Sequence, residues 1–207
     1  MNMQQYLKDH LSLYIFVSVL FIMGIIFGAL MVNALSLEQK QDMSNYLDSF
    51  FKTMDEETDL SSRQLLQETF GLHLKWMLLI WVLGLSVIGL PFILILDFLK
   101  GVLIGFTTGY IVGELSWDGI LFTLVSIAPQ NLIIIPVIII ASVSGVSFSI
   151  YLIKNRLLQK RGNISKPFMT FSFLILSLIG VLFVISMYET YLTPVIMKWI
   201  TPMLLSV

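Results

Sequence analysis

Long uncharged runs separated by short clusters of charge set the pattern of this chain. The first run extends from Leu11 to Leu37. A helix needs about 20 apolar residues to cross a bilayer, so this run predicts a span over 11–35. Its length, and a leading segment with one lysine beside an aspartate, disfavour a cleaved signal peptide. Trp76 to Leu96 predicts a second span, 76–96. Asp97 and Lys100 then suggest a turn, followed by a third span over 99–115 and a tight turn at Trp117 between Glu114 and Asp118. The uncharged run Gly119 to Ile153 exceeds one crossing, and Pro129 and Pro136 predict a break near 129–136 in this fourth span, 119–153. The part before the break is expected to be re-entrant or tilted. A fifth span is expected over 168–188.

The expected fold is therefore an all-α polytopic membrane protein, a single membrane domain over 1–207 with about five transmembrane helices. Short cytoplasmic loops collect Lys and Arg. The loop 154–166 carries Lys154, Arg156, Lys160, Arg161 and Lys166, and is placed in the cytoplasm. Five crossings then give an N-in/C-out arrangement and expose 36–75 as an extracytoplasmic segment. Within it, Met43, Tyr46, Leu47, Phe50, Phe51 and Met54 recur at helical spacing and predict an amphipathic helix. That face suits either the membrane lipid surface or a partner protein. Lipid-binding interfacial helices are usually basic, whereas this segment is acidic, which favours a protein.

Composition narrows the function classes. Apolar residues make up 57% of the chain and charged residues 12%, too little charge to cover a soluble domain. The net charge of −1 excludes a strongly basic nucleic-acid binder, so no nucleic-acid partner is expected. Cysteine is absent, which removes disulfides and thiolate chemistry. Catalytic motifs are missing: Gly84-Leu85-Ser86-Val87-Ile88 lacks the final glycine of a nucleophile elbow. His10 and His73 fall on opposite membrane sides in this topology, so no metal, no cofactor and no enzyme are expected. Asp97, Lys100 and Glu114 are the remaining candidates for intramembrane catalysis, and all are placed at span ends.

Two features suit helix packing and a helix break. Gly101, Gly105, Gly109 and Gly113 repeat every fourth residue, and Gly24 and Gly28 repeat the spacing in the first span. Bare stripes of this kind let helix backbones approach closely. The partner is either a helix of this chain or one of another, and a homo-oligomer stays open. Pro129, Gln130, Asn131 and Pro136 place amides at the expected break. A kink healed by its own side chains is favoured over a transporter-like polar site, because no ionisable residue lies between Asp118 and Lys154.

Across nearly the whole chain, the order and spacing of several segments carry a resemblance. They are Leu13 to Phe21 with Gly24 and Phe27-Gly28, His73-Leu74-Lys75, Leu83 to Pro91, Phe98-Leu99-Lys100-Gly101 and Gly105-Phe106-Thr107. Pro129-Gln130-Asn131, Ile135-Pro136 and Tyr188-Glu189-Thr190-Tyr191 complete the set. The sequence resembles the stage II sporulation protein M family of endospore-forming Firmicutes. A wider family of membrane proteins has Pro-His-Gly…Glu-x-Pro at the fourth span. Gln130, Asn131 and Ile134 depart from it here, so no proton- or metal-linked role carries over. The resemblance implies a non-catalytic scaffold of the mother-cell and septal membrane, required for septal peptidoglycan thinning and forespore engulfment. It implies as partners the cell-wall hydrolases stage II sporulation proteins P and D. A permease-like subunit with a polar site at the broken fourth span is the alternative.

Overall fold

The computed structural model describes residues 11–55, 62–158 and 164–197, with side chains except at 48, 50–55, 62 and 156–158. Tyr191, Lys198 and Trp199 suggest an interfacial anchor over Tyr191–Leu205, of which residues 198–205 lie outside the described residues. Helices account for the architecture, and no strand occurs among the described residues. In chain order they are α1 (Leu11–Met31), α2 (Leu37–Asp55), α3 (Ser62–Gly84), α4 (Gly89–Phe122), α5 (Ala128–Leu152) and α6 (Ser165–Tyr191). A short 3-10 turn, Val32–Ala34, follows α1, and π-helical turns occupy Thr123–Ile127 and Ile153–Leu158.

Among the described residues, three helical stretches are long and apolar enough to cross a membrane: Leu11–Ala34, Gly89–Asn155 and Ser165–Met197. The middle one folds back on itself at Ser116, so it contains two arms. Ser116 leaves helical geometry (φ 53°, ψ −122°). Beyond it Gly119 lies so close to Ile111 that a Cβ would strike the Ile111 carbonyl, which explains the glycine.

The reversal between the second and third expected spans is displaced from Asp97–Lys100 to residues 85–88. Helix α4 runs unbroken through Asp97 and Lys100. The turn is stabilised without charge. The Ser149 hydroxyl of α5 lies 2.6 Å from the Ser86 carbonyl and 3.2 Å from the Gly84 carbonyl. Ser86 Oγ accepts from the Ile88 amide at 3.2 Å. A side chain at Gly89 would collide with the Leu83 carbonyl. Ser149→Ala removes the one hydroxyl donor that the Gly84 and Ser86 carbonyls share and should cost about 1–2 kcal/mol, read as a lower melting temperature of the purified protein in detergent.

The expected break near 129–136 is also displaced. Backbone irregularity sits just upstream, in the π turn Thr123–Ile127, and α5 continues through Pro136. Pro129 stands in the first turn of α5, where a missing N–H costs nothing within the helix. Asn131 Nδ2 donates to the Ile127 carbonyl at 2.9 Å beside this irregularity.

Packing gives the helices their relative directions. Helix α6 is antiparallel to α3: Phe70 meets Phe183 edge-on at 5.2 Å, and Trp81 Nε1 donates to Ser172 Oγ at 3.1 Å. Helix α5 is antiparallel to α4, with Gly145 at Ile93 and Ser142 at Asp97. One apolar core joins α3, α5 and α6 through Met77, Ile80, Ala141, Phe171 and Leu182. Helix α1 lies along α4 and buries Val17 and Phe21.

Candidate functional site

The α1–α4 contact is built from glycine. Gly24 and Gly28 rest on the backbone at Phe98 and Val102, while Gly101 and Gly105 rest on the backbone at Phe21 and Ile25. Gly109 touches Ala29, with 2.9 Å from a hypothetical Cβ to its Cα. The residue numbers rise together on both helices, so the two run parallel. Gly113 has nothing within 4 Å and takes no part. Close backbone contact maximises dispersion between helices that lipid does not drive together.

Helix α2 begins with a reciprocal cap. Gln39 Oε1 accepts from the Ser36 amide at 3.0 Å, and Ser36 Oγ accepts from the Gln39 amide at 3.2 Å. This capping box separates α2 cleanly from the end of α1. Tyr110 of α4 reaches it, its hydroxyl donating to the Lys40 carbonyl at 3.2 Å. Further along, Tyr46 is 72% exposed, and Met43 and Leu47 are half-buried. Phe50, Phe51 and Met54 lie on the same helix, with side chains outside the described residues. No helix–helix interface covers α2 among the described residues.

Gln130 and Asn131 are both engaged. Gln130 Oε1 accepts from Thr193 Oγ1 at 3.3 Å, and Asn131 serves the Ile127 carbonyl. Pro129 and Pro136 stand in α5 above them and below them in sequence, without opening the helix.

Charged groups inside the bundle form the least expected feature. Asp97 is 1% exposed and sits eight residues beyond the start of α4 rather than at a span end. Ser142 Oγ donates to its Oδ1 at 2.6 Å, and its Oδ2 has no partner among the described residues. One turn on, Lys100 Nζ lies 5.3 Å from the centre of the Trp76 ring and feels the charge of Glu189. His73 Nε2 and Glu189 Oε2 are 2.8 Å apart, with side chains 10% and 12% exposed. These groups link α3, α4, α5 and α6. Ionisable side chains among apolar helices are costly, so they pair with one another. Here their contacts join the four helices to one another.

His73 is paired far along the chain. Its partner is Glu189, 116 residues away. Only the presence of one acid at the far end of the last apolar run hinted at it.

Residues 17–194 match the family model described as Stage II sporulation protein M. No curated protein and no solved structure matches the chain. The matched family is not a known enzyme family.

Proposed function

Because the chain belongs to the stage II sporulation protein M family, and so has a role in sporulation, we propose that it is a membrane scaffold that holds cell-wall hydrolases at the septum. The scaffold crosses the membrane five times, through α1, α3, α4, α5 and α6. The amino terminus and the basic segment around Lys154 and Lys166 lie in the cytoplasm of the mother cell, and α2 faces the wall. Helix α2 presents Tyr46 with Met43 and Leu47 to stage II sporulation proteins P and D, the hydrolases implied by the family resemblance. Hydrolysis and peptidoglycan thinning belong to those partners, and anchoring, with the engulfment that follows, belongs to this chain.

The observation that carries this reading is helix α2 itself: capped, amphipathic, and not covered by another helix among the described residues. An acidic amphipathic helix gains little from an anionic lipid surface and gains most by burying its apolar face on a protein. The permease-like reading has less support, because both amides it needs are already hydrogen-bonded.

The test uses the full chain in nanodiscs and the soluble, wall-facing part of each hydrolase. A photo-crosslinker at Tyr46 should trap the hydrolase. The pair Tyr46→Asp and Leu47→Asp should weaken binding by about tenfold or more, since each removes apolar burial of about 1.5–3 kcal/mol. Crosslinks to lipid alone, with hydrolase affinity unchanged in the double variant, overturn the reading.

A further inference from the structure

Helix α3 is the odd member of the bundle. It is absent from the stretches apolar enough to cross a membrane, yet Met77 and Ile80 are 1% exposed in the shared core. Its inward face is therefore that of an integral helix. Its outward face carries Gln64, Gln67, Glu68, Leu72 and Lys75, all exposed. Those residues and Gly71 line an open groove of about 750 Å³.

The depth of this face follows from three contacts. Phe70 meets Phe183, and Trp81 meets Ser172. These two pairs put Lys75 level with Leu178, whereas the His73–Glu189 contact puts it level with Met187, so Lys75 falls between those two levels of α6. Leu178 is the centre of the uncharged run Phe168–Tyr188 of α6. On that run the outward residues are apolar: Phe173 is 72% exposed, Leu176 65% and Val184 63%. One side of the bundle is thus dressed for lipid. The neighbouring side sets a lysine within the outer half of that run, and an acid and two amides further out. A lysine in hydrocarbon is an expensive side chain to leave without a partner.

We propose that this face of α3 receives a transmembrane helix of a different protein, one carrying a carboxylate opposite Lys75 and a hydrogen-bonding or basic side chain opposite Glu68. The charge pattern selects this occupant over a second copy. Two copies in one membrane share an orientation, and a two-fold axis along its normal sets equal depths together. Lys75 would then face Lys75, and Glu68 would face Glu68. A foreign helix supplies the opposite charge at each level. Gly71 lies between the two charged levels, and a Cβ there would meet nothing within 4 Å. The incoming backbone can therefore approach closely at that point. This inference rests on the scaffold reading and deepens it: an anchored partner is held by its own span as well as by its wall-facing part.

The test uses the full-length protein in phosphatidylcholine vesicles. The chain has no cysteine, so Met169→Cys carries a single dye at a site away from the groove. The probes are three dye-labelled leucine-rich single-span peptides with Asp, Lys or Leu at the level of Lys75. Energy transfer should rank the Asp peptide first, by about threefold to tenfold over the Leu peptide. Lys75→Glu should move the preference to the Lys peptide, and Gly71→Leu should weaken all three. Circular dichroism and size-exclusion profiles show that each variant keeps its fold. Equal binding of all peptides, or indifference to the residue at 75, overturns the proposal. Self-association of the protein that Lys75→Glu abolishes would assign the face to a second copy and also overturns it. So does undiminished labelling of Leu72→Cys, with Lys75 intact, by a membrane-impermeant thiol reagent with saturating Asp peptide present, which marks a water-filled cleft. Binding of the soluble hydrolase part is measured in parallel. Its retention while the peptides fail sinks this inference alone, and its loss while the peptides bind sinks only the role of α2.

Discussion

Gly105→Leu should leave almost no folded protein, whereas Gly113→Leu, two helical turns along the same stripe, should be nearly silent. The difference lies in what each new side chain meets. At Gly105 a Cβ would fall on the Ile25 carbonyl, and the whole Ile25 backbone surrounds it. Backbone cannot rotate away as a side chain can. Helices α1 and α4 must separate along their length, losing the matching contacts at Gly24, Gly28 and Gly101. Overpacking typically costs about 1–3 kcal/mol where side chains can adjust, and a rigid backbone collision belongs at or above the top of that range. That is a large share of a total stability of about 5–15 kcal/mol. At Gly113 nothing stands within 4 Å, so leucine enters open space. The check is the yield of monodisperse protein in mild detergent, with thermal unfolding of what is recovered. Equal yields for the two variants would mean that the α1–α4 interface contributes nothing to the fold.

This contrast also shows how far the sequence could be read. Spacing put all four glycines of α4 on one stripe, but spacing is blind to where a partner helix ends. Helix α1 gives way to a 3-10 turn at Val32–Ala34, and Gly113 lies beyond the last glycine contact. The helical character and the family were legible for a related reason: apolar runs and local order are properties of the chain taken in sequence. The register of α3 was not. Charge at Asp97 and Lys100 looked like the end of a span, because a single sequence cannot reveal that Ser142 and the Trp76 ring wait inside the bundle for them. The true turn at 85–88 is uncharged and draws its support from Ser149 on a helix two elements away. Moving that turn about ten residues upstream draws the polar half of α3 into the bundle. A stretch that the sequence sets apart from the spans thereby becomes part of the helical bundle.

The His73–Glu189 pair is the other place where one substitution should have a large effect. Glu189→Ala leaves His73 buried with its partner gone, and Lys100 loses the charge of Glu189. Breaking a buried pair by removing one partner costs about 3 kcal/mol or more. For a chain of this size that is a fall in melting temperature of about 6–12 °C. His73→Phe should cost a similar amount by stranding Glu189. The double variant His73→Phe with Glu189→Leu should recover most of the loss. It strands neither partner, and the space is refilled with apolar volume. The sign of the coupling is what matters: the double variant must be more stable than either single one. A purely additive result in a thermal double-mutant cycle would mean that the two side chains act independently, and that the register of α3 against α6 is set by the apolar core alone. Strong coupling would tie the depth of Lys75, and with it the polar outer face of α3, to an interaction that joins residues 116 positions apart.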